Sequence, residues 1–145
     1  MRIPLNFDEE KSSIFLNIAI RIPGRVGPFP ATFIIDTGSP LTFMDEFYSS
    51  KFRIFAKNLP FDSFIYMGGT KVSLYKLGKS EFILRSEGDK LESMAFDSLK
   101  VARTAWTKKE ATYAGESILG LDFLKELELK LFVDPSNDAA YLERK

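Results

Sequence analysis

Asp36-Thr37-Gly38-Ser39 closes the apolar run Phe33-Ile34-Ile35. A lone charge at the end of such a run is costly to bury unless it is hydrogen-bonded or shares its site with another acid. Two carboxylates about 3 Å apart cannot both ionise, so they share one proton and their pKa values split. The ionised member can then act as general base toward water while the other holds the complementary proton. A dyad of this kind needs small neighbours so that two backbones can approach, which Gly38 permits. It also needs hydroxyls and amides to orient the oxygens, which Thr37 and Ser39 can supply. Asp62-Ser63 runs into Phe64 and Asp97-Ser98 into Leu99, so neither repeats the pattern. The motif makes sense if Asp36 is half of a dyad.

Other chemistries are excluded by composition. The chain has no Cys and no His, which removes disulfides, Cys/His zinc sites, cysteine nucleophiles and Ser-His-Asp triads. No metal and no cofactor are expected. Asp134 to Asp138 offers oxygens but lacks the glycine and distal Glu of a calcium loop, so a proline turn is expected there. Lys+Arg and Asp+Glu both number 20, which argues against nucleic acid as partner. The aromatic series Phe43, Phe47, Tyr48, Phe52, Phe55 therefore reads as core and groove wall. No apolar run approaches the ~18 residues of a membrane span, and MRIPLNFDEEKSS has no signal-peptide apolar region. A cytoplasmic location is the expectation.

The elements that must position Asp36 can be read from periodicity. At 145 residues, 45% apolar with 14 Phe, the chain suits one domain over 1–145 with a real core. Ile14, Leu16, Ile18, Ile20 and Ile22 alternate with Phe15, Asn17, Ala19 and Arg21, a strand with one apolar face. After the turn at Pro23–Pro28, Ala31 to Ile35 returns and delivers Asp36. Asp45 to Phe55 reads as loop or a short helical turn. Phe61 to Tyr66 and Lys71 to Leu77 flank Met67-Gly68-Gly69-Thr70 as a hairpin. Glu81 to Arg85 and Leu91 to Phe96 flank Ser86-Glu87-Gly88-Asp89 as another, and Leu99 to Ala102 is one more short strand. Thr107-Lys108-Lys109-Glu110 fits a capping box that would start a brief helix. Leu121 to Leu127 has helical spacing, and Lys130 to Val133 pairs with Ala140 to Leu142. Many short strands with regular turns indicate an all-β barrel or sandwich.

Taken in order, these segments resemble the retropepsin-like, single-lobe branch of the pepsin-type aspartic proteases. The apolar-apolar-Asp-Thr-Gly-Ser stretch resembles that family's active-site signature, and residues 13–36 the hairpin before it. Met67-Gly68-Gly69 resembles the flap tip. Ser117-Ile118-Leu119-Gly120 resembles the apolar-apolar-Gly segment that crosses behind the catalytic loop and enters a helix. The interval from Asp36 to Ile118 is long beside the compact viral members, so an extra hairpin is expected. The resemblance implies a closed all-β barrel with one short C-terminal helix, acting as a homodimer on peptide or protein substrates. In it Asp36 is the catalytic acid/base, Thr37 braces both loops across the two-fold axis, and Gly38 gives backbone access. Ser39 would hydrogen-bond the carboxylate, and Ser39, Met67, Gly68 and Gly69 would face substrate. Water attacks the peptide carbonyl, with no covalent intermediate and no metal.

Blander readings stand beside this one. Asp36 can cap its own turn, as Asx residues do, and Gly68-Gly69 can be an ordinary hairpin turn. The same barrel can also serve as a non-catalytic dimeric peptide-binding or scaffold domain, since fold does not dictate function.

Overall fold

The alternating run that begins the chain's apolar pattern forms β3 (Ser13–Arg21), with Leu16, Ile18 and Ile20 buried and Asn17 and Arg21 exposed. This is seen in a computed structural model that describes residues 1–8, 10, 13–25, 27–67, 69–103 and 116–144. β3 turns back into β4 (Phe29–Ile35), pairing Phe15 with Ile34 and Ile20 with Phe29. From there the order of neighbours runs through β9 (Ser117–Leu119), β5 (Phe43–Asp45), β8 (Leu91–Ala102) and β7 (Thr70–Arg85). Pairing of β7 back to β3, at Ala19–Ile83 and Ile20–Phe82, closes a six-stranded barrel. β2 (Asn6–Asp8) and β6 (Phe61–Met67) are added outside the ring, on β3 and β7. The expected all-β closed barrel with a short C-terminal helix, α2 (Leu121–Glu126), is what the chain forms.

Two parallel pairings, β4 with β9 and β5 with β8, interrupt an otherwise antiparallel barrel. They need long connections, which is where the hairpins between residues 61 and 102 are accommodated. A separate three-stranded sheet has the order β1 (Arg2–Pro4), β11 (Ala139–Glu143), β10 (Lys130–Asp134). Its surface carries the Arg2–Glu143 pair at 2.7 Å and the stacked rings of Phe132 and Tyr141. The exposed ion pair contributes little on its own.

Several expected elements have different bounds. Lys71–Leu77 and Glu81–Arg85 are one strand, and Leu91–Phe96 and Leu99–Ala102 are another. The extra length is therefore one long β7–β8 hairpin and not a string of short ones. The apparent break is a register shift around Gly78, whose φ of +86° is open to glycine and strained for most L-residues. A bulge disrupts side-chain alternation while the ladder continues beyond it. β1 and β2, three residues each, are too short to carry a period. Within the stretch 45–55, α1 (Glu46–Ser49) is capped by Asp45, which accepts from the Phe47 N–H at 3.0 Å. The capping-box segment 107–110 lies outside the described residues.

The barrel interior is aromatic. Phe82 lies 5.7 Å from Phe33, 5.7 Å from Phe96 and 5.2 Å from Phe123, ring centre to ring centre, and all four side chains are fully buried. Phe123 thereby fastens α2 to the barrel. A second, smaller cluster joins Phe43, Ile65, Val72, Leu74, Ala102 and Ile118, with Ile34, Leu41 and Met67 packed against it. Because Phe82 is the hub of the larger core, Phe82→Ala is expected to cost about 3–5 kcal/mol in urea denaturation. Leu91→Ala, at a side chain 63% exposed, is expected to stay within about 0.5 kcal/mol of wild type.

Candidate active site

β4 carries Phe33 into the core and then stops at Asp36, whose N–H donates to the Leu119 carbonyl at 3.0 Å. The chain turns sharply, with the Ser39 N–H donating to the Asp36 carbonyl at 3.1 Å. Inside that turn the Gly38 N–H donates to Asp36 Oδ1 at 2.9 Å. A Cβ on Gly38 would stand 3.1 Å from the same oxygen, so the small residue keeps the carboxylate's surroundings open. Asp36 is half-buried, while Thr37 and Gly38 are exposed at the tip of the loop. Asp36, Thr37 and Gly38 are thus presented together on one surface loop.

Ser39 departs from expectation. Its side chain is buried, and its Oγ donates to the Leu41 carbonyl at 2.7 Å. A hydroxyl has one proton, so in this position it cannot also donate to the Asp36 carboxylate. At 2% exposure it presents almost no surface at which a substrate could be met. Ser39 braces the loop from beneath.

The loop rests on the segment after β9. Gly120 packs so closely that a Cβ there would sit 2.5 Å from the Leu41 carbonyl oxygen and 2.6 Å from that of Ser39. The Gly120 N–H donates to Thr42 Oγ1 at 2.9 Å, and Thr42 Oγ1 in turn donates to Asp122 Oδ1 at 2.5 Å. The first N–H groups of α2, which have no partner within a helix, are used by the loop. Leu121 N–H donates to the Ser39 carbonyl at 2.9 Å and Asp122 N–H to that of Pro40 at 3.2 Å. Thr42 and Asp122 are supports that sequence reading did not single out. Eighty residues separate them, and no local pattern signals such a pair.

The remaining expected site residues lie on the β6–β7 hairpin. Met67 pairs with Thr70 to end it, and Gly69 between them has φ +83°. Gly68 lies outside the described residues. Met67, Ile34 and Leu41 pack on the same small cluster, so the hairpin is rooted on residues that flank Asp36 in sequence. Beside β4, the hydroxyl of half-buried Tyr48 donates to the Pro30 carbonyl, and partial burial pushes its phenol above the usual range. Among the described residues no group of three or more acidic side chains is placed to hold a metal ion.

No family model matches this chain, and no curated protein matches it in sequence. Solved structures do. A crystal structure of a retropepsin-like aspartic protease from Rickettsia conorii superposes with a TM-score of 0.56 at 14% identity, covering 98% of this chain and 89% of that one. The retroviral protease-like domain of Ddi1 from Leishmania major gives 0.47 at 12% identity, with 90% of each chain covered. At such identities the likeness is one of fold.

The contacts beneath the loop set its tolerance to change. In Gly120→Ala the new methyl meets two backbone carbonyls, each already committed to a hydrogen bond. A loss of about 3 kcal/mol or more is expected in denaturant titration. Ser39→Ala removes a buried donor and should cost about 1–2 kcal/mol. Wild-type stability in that variant would place the hydroxyl elsewhere.

Proposed function

We propose that this chain, which has a retropepsin-like fold, is an aspartic endopeptidase that works as a two-fold homodimer. The observation that carries the reading is the Asp36-Thr37-Gly38 loop, braced from below by Gly120, with a half-buried carboxylate oriented by the Gly38 N–H. Such a carboxylate is held in place and still reachable. Asp122 is not a second member of the pair, because Thr42 Oγ1 and the Phe123 N–H, at 2.7 Å, both donate to its Oδ1. The partner carboxylate is Asp36 of a second copy, meeting the first on the axis of a symmetric dimer. The exposed Thr37 and Gly38 are where the second loop would approach, with Thr37 bracing the pair.

The reaction then needs only water and the shared proton. The ionised carboxylate takes a proton from water as its oxygen bonds to the peptide carbonyl carbon, and the protonated carboxyl gives its proton to the carbonyl oxygen. Collapse of the resulting gem-diol breaks the C–N bond. The departing nitrogen takes one proton and the dyad returns to its singly protonated form. The β6–β7 hairpin, rooted through Met67 beside Ile34 and Leu41, would close over the bound peptide as a lid and exclude water. No helix among the described residues is long and apolar enough to cross a membrane.

The test is digestion of an unstructured protein across an acidic-to-neutral pH series. Wild type is expected to show a bell-shaped profile with an acidic optimum, reporting two macroscopic values of the dyad. Asp36→Asn should cut below detection while retaining its fold, because an amide cannot exchange the proton. Specific activity should fall on dilution, and excess Asp36→Asn protein should poison wild type by forming half-sites. A fully active monomer in sedimentation at assay concentration would sink the shared-dyad mechanism. A wild type that cuts nothing at any pH would favour a dimeric domain that binds peptide without hydrolysing it.

A further inference from the structure

β6 is the last strand of the eight-stranded sheet, paired with β7 on one side and with no described strand on the other. It carries Phe61, Phe64 and Tyr66 at 52%, 49% and 72% exposure, three large side chains open to solvent on one short strand. An open edge bearing exposed aromatics is a template for pairing, and natural chains usually blunt it. Here the local structure gathers the rings together. Phe61 and Phe64 are three positions apart, so plain alternation would send them to opposite faces. The register shift between Phe61 and Ser63 inserts an extra residue, which brings both to the face of Tyr75. Phe61 lies 4.8 Å from Phe64 and meets Tyr75 edge-on at 5.8 Å, ring centre to ring centre.

Two cations bound this row. Lys71, opposite Tyr66 on β7, holds its Nζ 3.8 Å from the centre of the Phe64 ring. At the other end the Arg103 guanidinium is hydrogen-bonded to the Tyr75 side chain, and buried Glu46 attracts it more weakly. Among the described residues neither cation is in an ion pair. Asp62, the one carboxylate of β6, is already partnered: it accepts from Ser63 Oγ at 2.7 Å and lies 3.9 Å from Lys100 Nζ. The face is therefore aromatic and locally cationic in a chain whose net charge is zero.

Such a face selects its partner. The rings take aliphatic side chains, the cations take carboxylates, and the open edge takes main-chain N–H and C=O groups. An acidic polypeptide in extended form supplies all three. Nucleic acid could stack on the rings, but it offers no strand to the edge, and its phosphates call for a larger basic surface. A second copy presenting the same face would set like charges against each other. Ile65, Met67, Val72 and Leu74 alternate with the exposed residues and pack with Ile34 and Leu41, which flank Asp36 in sequence. The aromatic face is thus the side of the hairpin turned away from those neighbours of the carboxylate.

We propose that this face and the free edge of β6 form a docking surface for an extended acidic segment of another protein, which adds to β6 as a further strand. The proposal does not depend on the endopeptidase reading.

The experiment selects a phage-displayed library of random dodecapeptides on Asp36→Asn protein, a background chosen so that no bound peptide is cut. The recovered pool is expected to be more acidic than the starting library, with Val, Ile or Leu between the acids. A recovered peptide, labelled with fluorescein and followed by anisotropy, should bind about tenfold more weakly to Phe64→Ser/Tyr66→Ser and to Lys71→Glu, both exposed sites. N-methylation of one alternate set of its amides should weaken it about tenfold, and of the other set much less, because only one set faces the edge. Selection on Lys71→Glu/Arg103→Glu should yield a basic pool, a reversal that loss of folding does not imitate. A pool no more acidic than the library overturns the docking surface, as does equal binding to the aromatic double variant. Affinity indifferent to N-methylation removes the added strand and overturns the proposal too. Labelled oligo-thymidine that binds where no acidic peptide is recovered makes the face a nucleic-acid site and has the same effect.

Discussion

The contact of Gly120 with the carbonyls of Ser39 and Leu41 is the constraint on which the site depends. Nothing larger than hydrogen fits between them, so the turn after β4 and the entry to α2 lie at a single fixed separation. At that separation the bonds between the two segments are satisfied together. The helix's leading N–H groups go to Ser39 and Pro40, the Gly120 N–H goes to Thr42, and the Asp36 N–H goes to Leu119. Each bond is worth about 1 kcal/mol net. Their combined effect is larger than that sum suggests, because opening the contact would strand several partly buried groups at once.

This clamp sits where two clusters meet. Neighbours on β4 face opposite ways: Phe33 enters the core centred on Phe82, while Ile34 packs on the small cluster under the β6–β7 hairpin. The carboxylate therefore emerges between a closed barrel, which holds it still, and a hairpin joined to the barrel through fewer buried side chains. Under the endopeptidase reading, a rigid base beneath the carboxylate is what a reaction there would need.

Electrostatics at the loop differ from those of the chain as a whole. Positive and negative residues cancel overall, so net charge gives no attraction to a charged polymer. The charge at the loop acts at contact distance: the Asp36 carboxylate, which accepts from the Gly38 N–H.

Local features are legible from the residues that form them. The Asp36-Thr37-Gly38 turn, the amphipathic β3, the helix at Leu121, the hairpin that pairs Met67 with Thr70 and the turn at residues 86–89 were all legible. Each is written within a few residues, in alternation, in helical spacing or in turn chemistry. What joins residues far apart in the chain comes from the packing of the whole fold. It closed the barrel by pairing Ile20 with Phe82, ran β7 and β8 through the bulge at Gly78, and set Thr42 on Asp122. It also turned the Ser39 hydroxyl to Leu41 and away from Asp36, because a buried hydroxyl goes to the acceptor that packing puts within reach. Periodicity reports which face of an element is apolar; which element covers that face is a matter of the whole chain's packing.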